Sequence, residues 1–349
     1  MKKVGRDPGK LETLNLFSLL QEEDGGSLSA PRRRETFMAR MNSGLDRALS
    51  SKSTLHGIRA QAMFEGMVAS LGKVRLLKQE DSGECYFEGD ALQMPDFRVV
   101  TDSGLVLLIE TKSHYPSDPM GDFRVRTSDL EALRRYAAMF GTPLRVAIYW
   151  AQWNQWTLNR PESFSNKINY STIGFQTAMK RNEMAVLGDY TIATRFPLSL
   201  TMVADTDQPR SINANGAATF HVRRSEVSCA GKPIDDKVGR NIALYLMMYG
   251  KWEYDGGRVS LDENGLPSAV VHSVAPSEIV NPDQHFEMVG SMSSLYSHLY
   301  NSLTLEDGLV TKLRVKDPTS LAPVIPRDWN SQALPLWRFV LQSVEDEAP

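Results

Sequence analysis

The stretch MPDFRVVTDSGLVLLIETK occupies residues 94–112 and contains two runs of mostly β-forming residues joined by Asp102-Ser103-Gly104. A short polar turn that contains glycine, placed between two such runs, predicts a β-hairpin, because glycine accepts the positive φ that tight turns need. If Thr101 pairs with Leu105 across this turn, the register of the whole hairpin follows, and every residue of the first strand has a defined partner in the second.

That register gathers three charged side chains. Asp96 lies directly opposite Glu110, with Cβ atoms about 5 Å apart, and Lys112 projects from the same face as Glu110. Two opposed carboxylates repel each other, and a sheet gains nothing by holding them together unless a hard divalent cation lies between them. Magnesium held there would polarise a phosphodiester and acidify a bound water, while Lys112 would orient that water or balance charge in the transition state. The alternative is an ordinary edge hairpin in which Lys112 pairs with Glu110 or Asp96.

The segments around the hairpin alternate between helical and extended patterns. Ser128 and Gly141 have the residue types that begin and end a helix, the serine as a hydroxyl cap. The remaining elements are predicted as a helix over residues 56–71, a strand over 74–77 with 84–87 as a candidate part of it, and a strongly apolar strand over 144–150. The order helix, three strands, helix, strand predicts an α/β fold, in which helices flank a mixed sheet.

Pro95-Asp96, followed by Glu110-Thr111-Lys112 at the end of an apolar strand, resembles the signature of the PD-(D/E)XK nuclease superfamily. That fold is shared by many restriction enzymes and repair nucleases. The resemblance covers about residues 55–150. It implies a restriction-endonuclease-like core, α-β-β-β-α-β, for this part of the chain.

The resemblance also implies roles for individual residues. Asp96 and Glu110 would be catalytic metal ligands, the carbonyl of Thr111 a further ligand, and Lys112 the catalytic lysine. Many members of the superfamily place a glutamate on the helix before the first strand. Glu65 fits that position and is expected to be another metal ligand.

Two features depart from particular branches of the superfamily. Some members carry a glutamine four residues before a tyrosine on the second helix, whereas Ala132 precedes Tyr136 here. The exonuclease-like branches are therefore less supported. The chain also has no Walker A motif, so it is not itself a motor-driven helicase-nuclease, although a partner could supply ATP hydrolysis.

A net charge of −3 gives the chain no global attraction to nucleic acid. Contacts with DNA must then come from local basic patches. Arg124, Arg126, Arg134 and Arg135 follow the motif and are predicted to contact phosphates beside the site. A solvated helix face is the alternative for Arg134 and Arg135.

The composition is that of a globular chain, with 349 residues of which 42% are hydrophobic and 23% charged. No apolar run has the length of a membrane span, and none follows Met1-Lys2-Lys3, so we expect neither a membrane protein nor a secretory signal. A cytoplasmic location follows. Cys85 and Cys229 lie far apart, without metal-ligand spacing, so neither a disulfide framework nor a zinc site is predicted.

Composition along the chain predicts three parts: a flexible N-terminal arm over residues 1–33, the nuclease domain over 34–205 and a smaller α+β domain over 206–349. The boundary is placed at a stretch near 205–216 that is rich in Asp, Pro, Asn and Gly. Aromatic residues of the C-terminal part, among them Tyr296 and Tyr300, suit a recognition or oligomerisation surface and equally suit a plain core.

The sequence thus predicts a Mg²⁺-dependent DNA endonuclease, with Mn²⁺ as a substitute, of a restriction or antiviral-defence type. A homo-oligomer is expected, because cutting both strands of a duplex usually needs two sites, and an operon-encoded partner remains an option. Two alternatives stay open. One is a catalytically silent module of the same fold that binds nucleic acid or a partner protein, and the other is a nuclease directed at RNA.

Overall fold

Helices and a mixed sheet make up the part of the chain that contains the motif. The structure is a computed structural model, and it describes residues 1, 12–24, 32–81, 85–116, 118–326 and 329–343. Most of the predicted N-terminal arm, together with Glu84, lies outside the described residues. Within the arm, residues 13–24 form a helix.

The described helices are spread along the chain. The described α-helices are α1 (Thr13–Asp24), α2 (Arg33–Ser50), α3 (Lys52–Leu71), α4 (Thr127–Met139), α5 (Phe175–Lys180), α6 (Lys237–Tyr249) and α7 (Met292–Thr304). Short 3₁₀ turns cover Pro161–Ser163, Met184–Leu187, Pro282–Gln284 and Pro318–Leu321.

The strands that position the motif are β1 (Val74–Gln79), β2 (Phe97–Thr101), β3 (Val106–His114), β4 (Phe123–Arg126), β5 (Leu144–Trp150) and β6 (Gln155–Asn159). The others are β7 (Ser165–Asn166), β8 (Tyr170–Ile173), β9 (Thr191–Thr194), β10 (Leu198–Ala204), β11 (Ser211–Ile212), β12 (Ala218–Thr219), β13 (Val222–Cys229), β14 (Lys232–Pro233), β15 (Glu253–Leu261), β16 (Pro267–Ala275), β17 (Glu287–Ser291), β18 (Leu305–Glu306), β19 (Leu309–Val310) and β20 (Leu336–Phe339). The predicted order of helix, three strands, helix and strand is present, with β4 added before α4.

The hairpin of β2 and β3 has the predicted register. Phe97 pairs with Ile109 and Val100 with Val106, and the N–H of Thr101 donates to the carbonyl of Leu105 at 2.9 Å. Gly104 has a φ of 85°, which an L side chain rarely adopts. Continued by one pair beyond Phe97 and Ile109, this register places Asp96 opposite Glu110 at the end of the ladder.

The central sheet has the order β1-β2-β3-β5-β6, in which β3 and β5 are parallel and the other neighbours antiparallel. Alternate residues of β3 face opposite layers. Leu107 and Ile109 pack with α3, whereas Leu108 packs with Leu133 of α4. A helix layer thus covers each face of the sheet, as the sequence predicts.

Helix α7 lies in the same core as α3 and the central sheet. Tyr296 and Tyr300 are 1% exposed and pack in one apolar cluster with Phe64, Ile109 and Tyr149. Of the two interpretations of these tyrosines, the structure supports the core. The C-terminal part of the chain is therefore built into the layer that holds α3.

The hydrogen bonding does not follow the boundary expected after residue 205. Strand β10, which was assigned to the nuclease domain, pairs with β13 and β16 in a second sheet of order β14-β13-β10-β16-β15. The polar stretch near 205–216 is an excursion between two paired strands, with β11 and β12 as its own small hairpin. Turn-forming residues mark such an excursion and a domain linker alike, which is why the sequence predicted a linker.

Smaller differences have local causes. Helix α4 starts at Thr127 with Arg126 at its N-cap and no side-chain cap, so Ser128 lies inside the first turn and its hydroxyl contacts Asp129 instead. Helix α3 begins at Lys52, four residues earlier than expected, because Ser51 caps it by accepting from the N–H of Thr54. Residues 85–87 form no strand.

Both cysteines carry free thiols, Cys85 at the surface and Cys229 in the interior. Among the described residues, no helix combines the length and the apolar character that crossing a membrane requires.

Candidate active site

Asp96 lies just before β2 and is held from two elements. Its Oδ2 accepts hydrogen bonds from the N–H of Thr111, at 2.6 Å, and from the Thr111 hydroxyl. Its Oδ1 accepts from Nε2 of Gln61 on α3 at 3.0 Å. The backbone continues the ladder here, since the N–H of Glu80 donates to the carbonyl of Asp96 at 2.9 Å. The carboxylate is thereby fixed between the end of the hairpin and α3.

Glu110 and Lys112 stand on one face of β3, as the two-residue spacing predicts. Lys112 Nζ lies 2.6 Å from Glu110 Oε1, and Glu110 is only 3% exposed. The alternative interpretation of a structural hairpin also predicts this ion pair. The second oxygen of Glu110, Oε2, is buried and has no hydrogen-bond partner among the described residues. The same holds for Oε2 of Glu80, whose Oε1 pairs with Arg98, so the unpartnered oxygen fits both interpretations. What the structural pair leaves unexplained is Asp96, which lies close enough to Glu110 to raise its pKa.

The two carboxylates raise the cost of ionisation for each other. Burial, followed by the charge of Asp96, raises the pKa of Glu110 to about 7. Burial also raises the pKa of Asp96, against the hydrogen bonds from Thr111. Burial acts to lower the pKa of Lys112, but Glu110 and Asp96 outweigh it, and the net pKa is raised. Lys112 is therefore a cation at neutral pH beside two carboxyl groups that resist losing their protons.

An open groove of about 900 Å³ runs past this cluster. Asp96, Thr111 and Lys112 line it from the sheet, and the first half of α3 forms one wall. The opposite wall comes from the C-terminal part, through Asn301, Leu305 and Gly308. The groove is thus formed by residues more than 200 positions apart in the sequence.

The structure does not bring Glu65 to the cluster in the role predicted for it. Its Oε2 accepts from Arg314 at 2.9 Å, and the α3 residue that contacts Asp96 is Gln61, one turn earlier. Glu65 is the only carboxylate on α3, and the resemblance to the superfamily suggested it as a ligand. In the structure Glu65 faces Arg314 of the C-terminal segment, and the amide of Gln61 lies beside Asp96 instead.

The four arginines predicted to contact nucleic acid fall into two pairs. Arg134 is engaged with Glu131 and Glu162, and Arg135 donates to the carbonyl of Ala91, so both act within the protein. Arg124 and Arg126 alternate along β4 on one exposed face. Neither has an ion-pair partner in the described part of the chain, so they remain candidates for phosphate contacts.

Sequence reasoning missed several residues that the fold brings to the groove. Asp81 follows β1 and lies near enough to Asp96 to raise its pKa. Lys52, His56 and Arg59 lie on α3 at helical spacing, and this spacing is visible in the sequence. Asn301 gives no such signal, because only the tertiary fold places α7 beside α3.

A divalent cation that prefers oxygen ligands suits the residues present. Oε2 of Glu110 is a buried acceptor without a donor among the described residues, and Asp96 lies close enough to raise the pKa of Glu110. Among the described residues, no group of three or more His, Cys, Asp or Glu side chains has a metal-binding arrangement. Magnesium, which keeps several waters and accepts carbonyl and phosphate oxygens, fits a site with two protein carboxylates, whereas zinc does not.

No protein-family profile matches the chain, and neither does any curated protein sequence. Among solved structures, the chain is similar to Hjc, a Holliday junction resolvase from Archaeoglobus fulgidus, an archaeal hyperthermophile. The sequence identity is 14%, the TM-score is 0.24, and the alignment covers 32% of this chain and 84% of the resolvase. A TM-score this low supports no inference about function, which has to rest on the geometry of the site.

Proposed function

We propose that this chain is a metal-dependent nuclease that hydrolyses phosphodiester bonds in DNA. The observation that carries the proposal is that Asp96 and Lys112 line an open groove, while the buried Glu110 pairs with Lys112 and lies close enough to Asp96 for its pKa to be raised. A structural ion pair accounts for Lys112 and for Oε1 of Glu110. It does not account for Asp96, a second carboxylate close enough to Glu110 to raise its pKa.

The chain's own residues hold and polarise the substrate. Thr111 fixes Asp96 through its N–H and hydroxyl, so that carboxylate keeps one orientation. Lys112 offers a cationic donor at the floor of the groove, where it can bind a non-bridging phosphate oxygen and stabilise the charge that develops there. Asp96, Glu110 and the carbonyl of Thr111 would hold Mg²⁺, which when bound supplies Lewis-acid polarisation of the phosphate and a water of lowered pKa.

The test is a cleavage assay on single- and double-stranded DNA and on RNA of the same sequence, with Mg²⁺, Mn²⁺ or EDTA. We expect cleavage with either metal, none with EDTA, and a loss of at least about a hundredfold in Asp96→Asn and in Lys112→Gln. Asp102→Asn, at the exposed turn of the same hairpin, is the matched control and should cleave like the wild type. Full activity in Lys112→Gln would contradict the proposal.

A second candidate function is a nuclease fold that binds nucleic acid without cutting it. Two observations favour it: Lys112 already pairs with Glu110, and the predicted third carboxylate, Glu65, faces Arg314. Such a module should show no metal-dependent turnover on any of the substrates above, while still retaining them in a binding assay.

The finer parts of the proposal concern substrate and context. We favour duplex DNA and a restriction or defence role, with two copies of the chain acting together, because one site per chain can cut only one strand at a time. An operon-encoded partner would fit the same role. Analytical ultracentrifugation with and without DNA tests the assembly, and the side-by-side substrates test the preference for DNA over RNA.

A further inference from the structure

The wall of the groove formed by α3 carries a row of basic side chains. Lys52, His56 and Arg59 lie one and two turns apart on a single face of the helix, and all three line the groove. The same wall contains the first turn of the helix, where the N–H groups of the backbone add positive potential. The row begins at the rim of the groove with exposed Lys52 and ends in its interior with Arg59.

Arg59 is the buried member of this row. It is 3% exposed, and its terminal NH1 donates to Asn301 Oδ1 at 2.8 Å and to Thr304 Oγ1 at 3.1 Å, both of them neutral acceptors. Its Nε is buried and has no hydrogen-bond partner among the described residues. An arginine at this depth is normally paired with a carboxylate, because a buried charge without a partner is costly.

No acidic side chain in the described part of the chain pairs with any of the three. Their mutual repulsion is visible at His56, whose pKa is lowered by burial and then by the charges of Arg59 and Lys52. A protein that holds three basic groups together without counter-ions favours an anion that arrives from outside. The nearest polar cluster is the one around Asp96 and Lys112, which lines the same groove.

We propose that Lys52, His56 and Arg59 form a phosphate-binding subsite that holds a backbone phosphate of the nucleic-acid strand beside the bond aligned with Asp96 and Lys112. This inference rests on the proposed function for the identity of the ligand, although binding itself needs no metal and no catalysis. Asn301 is a positioning residue in this arrangement: it fixes the guanidinium of Arg59 and also donates to Tyr149 Oη at 2.9 Å and to Asn154 Oδ1 at 3.1 Å. The C-terminal part of the chain thereby helps to hold the substrate.

The experiment measures binding in EDTA, where cleavage is impossible, by fluorescence anisotropy on a short labelled DNA duplex, its single strand and the matching RNA. The first variant is Lys52→Gln combined with His56→Gln, because these side chains reach the rim and should leave folding intact. The second is Arg59→Gln, with its melting temperature recorded. The control is Lys232→Gln combined with Lys237→Gln, which removes exposed basic residues far along the chain.

We expect the rim variant to bind the preferred nucleic acid at least about tenfold more weakly, with a salt dependence that is shallower by about one unit in the log-log slope. The control should bind like the wild type. Unchanged affinity and slope in the rim variant, or a wild-type protein that binds none of the three probes, would overturn the subsite. Binding that is weakened as expected in a protein that never cleaves with Mg²⁺ would retain the subsite and reject the nuclease.

Discussion

At the scale of single residues, the site depends on a carboxylate pair that the fold holds at a cost. Glu110 is buried and Asp96 is half-buried, and each has a raised pKa. Natural proteins keep such destabilising arrangements where function requires them. Replacing one of the two carboxylates by a neutral side chain should therefore raise stability while it lowers activity.

Asp96→Asn is predicted to abolish cleavage and to raise the melting temperature of the metal-free protein. The side-chain oxygen of asparagine can still accept from the N–H of Thr111, and Gln61 can rotate its amide to accept from the new NH₂ group. What disappears is the repulsion between the half-buried carboxylate of Asp96 and the buried one of Glu110. Differential scanning fluorimetry in EDTA measures the change, and Asp102→Asn is the control. A melting temperature several degrees lower would show that Asp96 is structural.

Asp189 is a second buried carboxylate, remote from the hairpin. It accepts from the N–H of Ser293 at 3.0 Å and from its hydroxyl at 2.5 Å, at the start of α7. Burial raises its pKa from 3.8 to about 6, despite these hydrogen bonds. The sequence shows only an aspartate after a glycine, which is typical of a turn, and gives no sign that α7 returns to meet it.

The raised pKa predicts a pH dependence of stability. The folded protein binds the Asp189 proton more tightly than the unfolded chain does, so this contribution is complete below about pH 4 and is lost as the pH rises through about 6. The loss amounts to about 3 kcal/mol. Urea unfolding of the wild type and of Asp189→Asn across this range measures it as the difference between the two curves, since the variant keeps the contributions of Glu110 and Asp96 and lacks only that of Asp189. If the free energy of unfolding changed with pH by the same amount in both proteins, Asp189 would not have the raised pKa described here.

At the scale of elements, α3 is the helix on which the site and the core both depend. Gly66 faces α7 so closely that an added Cβ would lie 2.2 Å from the Tyr296 hydroxyl and 2.6 Å from Pro318 Cβ. Gly57, on the same helix, has no atom within 4 Å of that position. The two glycines therefore offer a matched pair in one element.

Gly66→Ala is predicted to destabilise the protein by about 2 kcal/mol or more, because the packed side chains of Tyr296 and Pro318 must both move away from the new methyl group. Gly57→Ala should instead stabilise it by about 0.5–1 kcal/mol, since alanine loses less conformational entropy in a helix. Chemical denaturation of both variants gives the two free energies of unfolding. Equal effects would mean that α7 does not pack against Gly66 as described.

The elements also show what the sequence can and cannot predict. The register between Phe97 and Ile109 was predictable, because a short turn with a glycine fixes strand pairing over a few residues. The contact of Glu65 was not predictable. Glu65 and Gln61 lie one turn apart on the same face of α3, and only the way the helix packs on the sheet decides which of them reaches Asp96. The pairing of β10 was not predictable for a related reason: its partners β13 and β16 lie beyond the polar stretch at which the sequence places a domain boundary.

At the scale of the whole molecule, the central sheet and the C-terminal part share one apolar core. Tyr296, Tyr300 and Leu321 pack against Phe64 and Ile109, although the sequence suggested separate domains. We therefore predict a single cooperative unfolding transition, with tryptophan fluorescence and far-ultraviolet circular dichroism following the same curve. Tyr300→Ala should shift both signals together. Two resolved transitions in calorimetry would restore the picture of independent domains.

The bond from Arg59 to Asn301 has a consequence for the order in which the protein is made. The hairpin with Asp96 and Glu110 leaves the ribosome about 200 residues before the helix that carries Asn301 and the loop around Gly308. A nascent chain that has not reached α7 therefore carries the acidic pair without the groove wall formed by Asn301, Leu305 and Gly308. The groove can close only after α7 has been synthesised, so any ligand that needs both walls is bound after translation has passed this helix.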